Sequence, residues 1–205
     1  MPKQVPPEGD GRAHGRDAGG PLPWVVRHAH LIPRGGPILD LACGAGRHTR
    51  FFLARGCPVT AVDIDTSGLA DIAADPRLEA LAADLESAPW PLRERVFAAV
   101  VATNYLWRPL FEDLVRSVAT GGLLLYETFA QGNERYGRPK NPDFLLRPGE
   151  LLEVVRGRLQ VVAYENGLVN APDPAVKQRL CAVRREEPVP LRERGNPPGS
   201  TGPGS

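Results

Sequence analysis

The stretch Ile38–Asp65 constrains this chain more than any other, because strand, helix and strand signals follow one another in it without a gap. Ile38-Leu39-Asp40-Leu41 is an apolar run carrying one acid, and Ala42-Cys43-Gly44-Ala45-Gly46 is a turn of small residues. An amphipathic segment follows, with Phe51, Phe52 and Leu53 set among Arg47, Arg50 and Arg55, and Gly56 stops it. A second apolar run, Val59-Thr60-Ala61-Val62, ends in Asp63. The pattern predicts a βαβ unit with an acid at the tip of its second strand. Small residues in the first turn let a ligand approach the backbone, and the acid can accept both hydroxyls of a ribose. The segment reads as a nucleoside site.

The glycine spacing narrows the choice of nucleoside. A dinucleotide fingerprint needs G-x-G-x-x-G, but its third glycine falls on Thr49 when counted from Gly44 and on Arg47 when counted from Ala42. A P-loop is excluded because no Gly-Lys-Ser/Thr follows. What remains is an acid, Asp40, ahead of small-x-Gly-x-Gly at Ala42, Cys43, Gly44 and Gly46. This form resembles the first motif of the class I S-adenosylmethionine-dependent methyltransferases. Leu81-Ala82-Ala83-Asp84-Leu85 looks like a third strand ending in an acid, which in that family bonds the adenine amino group. Asp40, Asp63 and Asp84 then recur 23 and 21 residues apart, each at a strand end. From Trp24 to Arg184 the chain resembles a small bacterial group of tellurite-resistance-type methyltransferases. The resemblance implies S-adenosylmethionine as cofactor, held by Asp40, Ala42, Cys43, Gly44, Gly46, Asp63, Ile64, Asp84, Leu85 and Asn104. A cofactor with a sulfonium, an ammonium, a diol and an amine suits a site rich in carboxylates and carbonyls.

Organisation follows from the same periodicities. Residues 24–186 are expected to form one methyltransferase domain, between disordered tails at 1–23 and 187–205. Those tails hold ten of the 22 prolines and nine of the 22 glycines in 42 positions, too little apolar surface to offset ordering. Helices are predicted at Pro23–Ile32, about Ser67–Ala74, Pro109–Ala119 (closed by Gly121-Gly122) and Glu150–Val155. Strands are predicted at Val96–Thr103, Leu123–Thr128, and near Leu159–Glu165 and Gln178–Arg184. A turn-rich loop with Asn166-Gly167 and Asn170-Ala171-Pro172 is expected between the last two. Alternating strands and helices indicate an α/β fold: a doubly wound, mostly parallel seven-stranded sheet, Rossmann-like, with an antiparallel last strand. In such sheets ligands bind beyond the carboxyl ends of the strands, beside the first strand.

Methyl transfer is a displacement at a sulfonium, so positioning and desolvation dominate and a base is needed only for a protonated nucleophile. The acceptor is expected near the ends of the fourth and fifth strands, where Asn104, Tyr105 and Glu127 are the catalytic candidates and Glu127 the preferred base. An ion pair with an insertion arginine such as Arg135 or Arg138 is the plainer role for Glu127. Asn104 lacks the prolines of the (D/N)PPY signature that grips a base amine, which argues against nucleic-acid methylation. Ala98 stands where the family commonly has Asp and reads as structural. The polar segment 129–147 is expected to be an acceptor-selecting lid. Arg108, Arg135, Arg138 and Arg147 suggest a small-molecule acceptor with a carboxylate or phosphate, and argue against polyamine transfer. His28 and His30 lie two apart and cannot form an i, i+4 metal pair; no metal is expected. His28 with Trp24 reads as lid packing, His48 as a polar residue near the cofactor and Cys43 as turn packing.

A net charge of +1, from 25 basic and 24 acidic residues, gives no electrostatic case for nucleic acid or a membrane surface. No apolar stretch approaches a membrane span, the first 20 residues lack a secretory h-region, and three cysteines without CxxC spacing suggest neither disulfide nor zinc. A soluble, cytoplasmic protein is expected. The alternatives are a silent cofactor-binding scaffold and methylation of a protein or nucleic acid.

Overall fold

A computed structural model describes residues 19–170, 173–185 and 187, so most of the two expected tails lies outside the described residues. Seven strands form one sheet: β1 (Ile38–Leu41), β2 (Val59–Asp63), β3 (Leu78–Ala82), β4 (Phe97–Thr103), β5 (Val118–Phe129), β6 (Gln160–Val169) and β7 (Ala175–Val183). Their order is β3-β2-β1-β4-β5-β7-β6. Neighbours pair in parallel from β3 to β5, and β7 runs antiparallel to both β5 and β6. The doubly wound, seven-stranded reading holds.

Two faces are covered. Helices α1 (Pro23–His28) and α2 (Arg47–Ala54) close one, where Trp24, Phe52 and Leu53 pack on Ile38, Val101, Leu125 and Cys181. Helices α3 (Phe111–Arg116) and α4 (Glu150–Val155) close the other, where Leu114, Leu151 and Val155 pack on Val100, Leu124, Tyr126 and Leu180. Central β4 is buried along its whole length, as its unbroken apolar sequence demands. The chain switches direction beside β1, so the carboxyl ends of β1 and β4 flank the crevice such sheets use for ligands.

Several boundaries differ from expectation, each for a local reason. The third strand stops at Ala82, because the Asp84 carboxylate accepts the N–H groups of Glu86 and Ser87 and turns the chain there. The helix expected through Ala119 ends at Arg116, because Val118 already pairs with Phe97. Gly121-Gly122 therefore lies inside β5, where the register slips, rather than capping a helix; a Cβ on Gly122 would sit 2.8 Å from the carbonyl oxygen of Phe97. Asn166-Gly167 likewise falls inside β6, paired with Gln178 and Lys177, rather than in the hairpin loop. Segment 129–147 is not structureless: Asn133–Arg135 and Pro142–Phe144 are 3₁₀ turns, and Ala130 bridges Leu146. Among the described residues no helix is long and apolar enough to cross a membrane.

Candidate functional site

After β1 the backbone takes three left-handed residues, Ala42 (φ 50°), Gly44 (φ 54°) and Gly46 (φ 77°). Gly46 is obligatory, since a Cβ there would stand 2.2 Å from Leu69 Cδ2. Gly44 differs, because a Cβ on it would meet only open space. That face of the turn is accessible. Asp63, at the tip of β2, accepts the Gly44 N–H through Oδ2 at 2.8 Å and the Asp65 N–H through Oδ1. The carboxylate holds the turn in place and keeps further lone pairs for a ligand. Ile64 beside it is 43% exposed, an apolar surface next to the acid. Asp84 and the buried Leu85 complete this side.

Asp40 has its carboxylate engaged within the fold. It is buried, and its Oδ2 accepts the Thr49 hydroxyl at 2.6 Å, tying β1 to the first turn of α2. Burial pushes its carboxyl up to about 6, against the pull of the Thr49 hydrogen bonds and the nearby Arg47 charge. Cys43 is buried too, and burial raises its thiol, with Asp40 and Asp63 adding to the effect, so it is a packing residue. His48 is likewise a strut. The Leu22 N–H donates to its Nε2 at 3.2 Å, so the proton sits on Nδ1, which lies 3.4 Å from Thr103 Oγ1. Burial, then Arg47, holds its pKa down near 3, so the ring is neutral. The Trp24 and His28 rings meet tilted by 59° with centroids 4.3 Å apart, and Trp24 Nε1 donates to the Leu180 carbonyl.

At the ends of β4 and β5, Asn104 follows β4 in a left-handed conformation (φ 54°), its N–H donating to the Glu127 carbonyl. Its Oδ1 accepts from Lys177 Nζ at 2.7 Å. Glu127 is only 3% exposed and meets Arg179, with Nε 3.2 Å from Oε2. The ion pair expected for Glu127 therefore exists, but its partner comes from β7 and not from the insertion. Tyr105 lies on the other face: its carbonyl accepts the Tyr126 hydroxyl and its ring packs with the α3–α4 cluster.

Two of the arginines that suggested an anionic acceptor are structural. Arg108 pairs with Glu150 at 2.7 Å and donates to the carbonyls of Asp143 and Leu145, and Arg147 pairs with Glu150 and Glu153. Buried Asn133 accepts the Val176 N–H and donates to the Pro139 carbonyl, anchoring the insertion to β7. Sequence reading did not single out Lys177 and Arg179, which the fold brings to this edge. The signal was present in Ala175-Val-Lys-Gln-Arg-Leu-Cys: cations at alternate positions at the start of an otherwise buried strand.

Residues 38–122 match a family model described as a methyltransferase domain. That match takes in β1 to β4 and the turn after β1. Its fold is similar to TehB from Haemophilus influenzae (TM-score 0.64, 19% identity), over 79% of this chain and 61% of that one. The chain thus spans about six tenths of that protein's length. It is also similar to a Burkholderia thailandensis 1,6-didemethyltoxoflavin-N1-methyltransferase (TM-score 0.59, 20% identity, 80% and 76% covered). A third likeness is the glycopeptide N-methyltransferase MtfA (TM-score 0.55, 20% identity, 78% and 88% covered). No curated protein matches the chain.

Proposed function

We propose that this domain uses S-adenosylmethionine to methylate a small molecule. The observation that carries the reading is the Asp63–Gly44 contact at the open left-handed turn. It presents a carboxylate, an unencumbered backbone face and the exposed side chain of Ile64 within three consecutive elements of the edge. A ribose diol on Asp63, an adenine against Ile64 and Leu85 with its amine toward Asp84, and an aminoacyl arm along Ala42–Gly46 would match these groups. Asp40 and Cys43 support the turn from beneath. The cofactor supplies an electrophilic methyl group, and the chain's own part is to orient and dehydrate the acceptor. Asn104 borders that space, whereas the Tyr105 ring packs with the α3–α4 cluster. Glu127, held against Arg179, is better suited to fixing that cation than to taking a proton. A small acceptor is supported by the B. thailandensis neighbour, whose structure holds 1,6-didemethyltoxoflavin with S-adenosylhomocysteine.

The test is calorimetric titration of the full chain with S-adenosylmethionine and S-adenosylhomocysteine, on wild type and Asp63→Ala. Micromolar binding is expected, weakened about 100-fold in the variant by the loss of two charge-assisted hydrogen bonds. Well-folded wild type that binds neither compound would overturn the reading.

A further inference from the structure

The antiparallel register of β5 and β7 sets Glu127 opposite Arg179 and Phe129 opposite Lys177. By strand alternation these side chains share the α1–α2 face with Leu125 and Cys181, at its carboxyl edge. Arg47 approaches from the start of α2, its Nη2 3.4 Å from Thr103 Oγ1. A cavity of about 130 Å³ opens beside them, lined by Lys177, Arg179 and residues 165–169 of β6. Such a space is far below the several hundred Å³ a nucleoside-sized ligand needs, but it accepts a group of a few heavy atoms.

The charges around it are unequal. Arg27, Arg47, Lys177 and Arg179 face Asp40, Glu127 and Glu165. Arg179 is shared between Glu127 and Glu165, and Glu165 also takes Arg27. Among the described residues Lys177 and Arg47 have no carboxylate within ion-pair distance. Lys177 rests instead on a neutral amide oxygen, Asn104 Oδ1, and over the Phe129 ring at 3.3 Å from its centroid. Both are weaker partners than a carboxylate, and an arriving anion would exchange a dipole for a full charge in a half-buried site.

We propose that Lys177, backed by Arg47 and Arg179, is a carboxylate-binding subsite beside the methyl-transfer position. The assignment rests on the methyltransferase reading only for what the carboxylate belongs to: the acceptor, or the amino-acid arm of the donor. Burial, reinforced by Arg47 and Arg179 and opposed by Glu127, lowers the ammonium to about 8, so its charge is removable within an accessible range.

The experiment titrates the full chain, with and without saturating S-adenosylhomocysteine, with benzoate and its uncharged counterpart benzamide. Benzoate is expected to bind at least tenfold tighter than benzamide. The preference should vanish in Lys177→Met, persist in Lys177→Arg, and in wild type decline between pH 7 and pH 9.5. Thermal melts confirm that the variants fold, and Arg47→Gln provides an independent weakening. If Lys177→Met instead weakens S-adenosylhomocysteine tenfold but spares 5′-methylthioadenosine, which lacks the amino-acid arm, the carboxylate is the donor's. Equal binding of benzoate and benzamide, with donor binding indifferent to Lys177, overturns the subsite. Failure of wild type to bind S-adenosylhomocysteine overturns the cofactor reading alone, because the benzoate comparison is also made without it.

Discussion

On the β1–β3 side of the carboxyl edge, carboxylates are bonded to backbone N–H groups: Asp63 to Gly44 and Asp65, Asp84 to Glu86 and Ser87. On the β4–β5–β7 side, side chains meet side chains: Glu127 with Arg179, Asn104 with Lys177, Lys177 with Phe129. The first arrangement joins residues two to 19 positions apart, the second residues 48 to 73 apart. A site of the first kind is carried by short motifs and survives much change elsewhere. A site of the second kind exists only while two distant strands keep their register.

The largest expected effect breaks the second kind. Arg179→Ala strands the Glu127 carboxylate at 3% exposure, and a buried charge deprived of its partner costs about 3–5 kcal/mol. For a chain of this size the melting temperature should fall by about 10 °C. The double variant Glu127→Leu/Arg179→Met removes both charges and should recover most of that loss, since an apolar pair of similar volume replaces a buried ion pair with little penalty. A single variant that melts within a degree or two of wild type would show that the pair is not needed for the β5–β7 register.

Gly46→Ala tests the first kind. A left-handed alanine costs about 1–2 kcal/mol, and its Cβ at 2.2 Å from Leu69 Cδ2 forces repacking worth a similar amount. The loss, about 2–4 kcal/mol in urea unfolding, should come with weaker S-adenosylhomocysteine binding because the turn that anchors Asp63 shifts. Gly44→Ala, with open space around its Cβ, should cost only the backbone term. Equal losses from the two glycines would break the distinction between a packed and an open face of the turn.

The contrast also explains what could be read from the chain. The βαβ unit, the acid at the end of β2 and the buried β4 follow from periodicity and turn chemistry within some 30 residues, and all stand in the structure. Asp40 shows where such reading stops: the Thr49 hydroxyl, nine residues on, bonds its carboxylate, and no motif announces that partner. Arg108 and Arg147 prove structural for a related reason. Net charge on a loop says nothing about which carboxylates and carbonyls the fold will bring to it, and Arg108 found Glu150 42 residues away. Lys177 and Arg179 reach the carboxyl edge opposite Phe129 and Glu127 through β5–β7 pairing, which no local pattern encodes.

The smallest effect separates the two sides by pH. Asp40 is an acid of the β1–β3 side whose charge the fold opposes: burial lifts its carboxyl from 3.8 to about 6. A raised carboxyl contributes stability that is complete below the unfolded value near 3.8 and is lost as pH climbs through the folded value near 6. Above pH 7 the charged form therefore costs the wild type on the order of 2–3 kcal/mol that it does not cost at pH 4. In Asp40→Asn the amide still accepts the Thr49 hydroxyl but cannot ionise. The variant's stability relative to wild type should accordingly rise by about that amount between pH 4 and pH 7.5, whatever constant offset the lost oxygen introduces. His48, neutral in the fold, destabilises both proteins alike as pH falls below about 6.5, so it cancels in the difference. A stability difference that stays flat across this range would mean that Asp40 keeps ordinary access to solvent, and would move it from the frame of the turn into the group that meets the ligand.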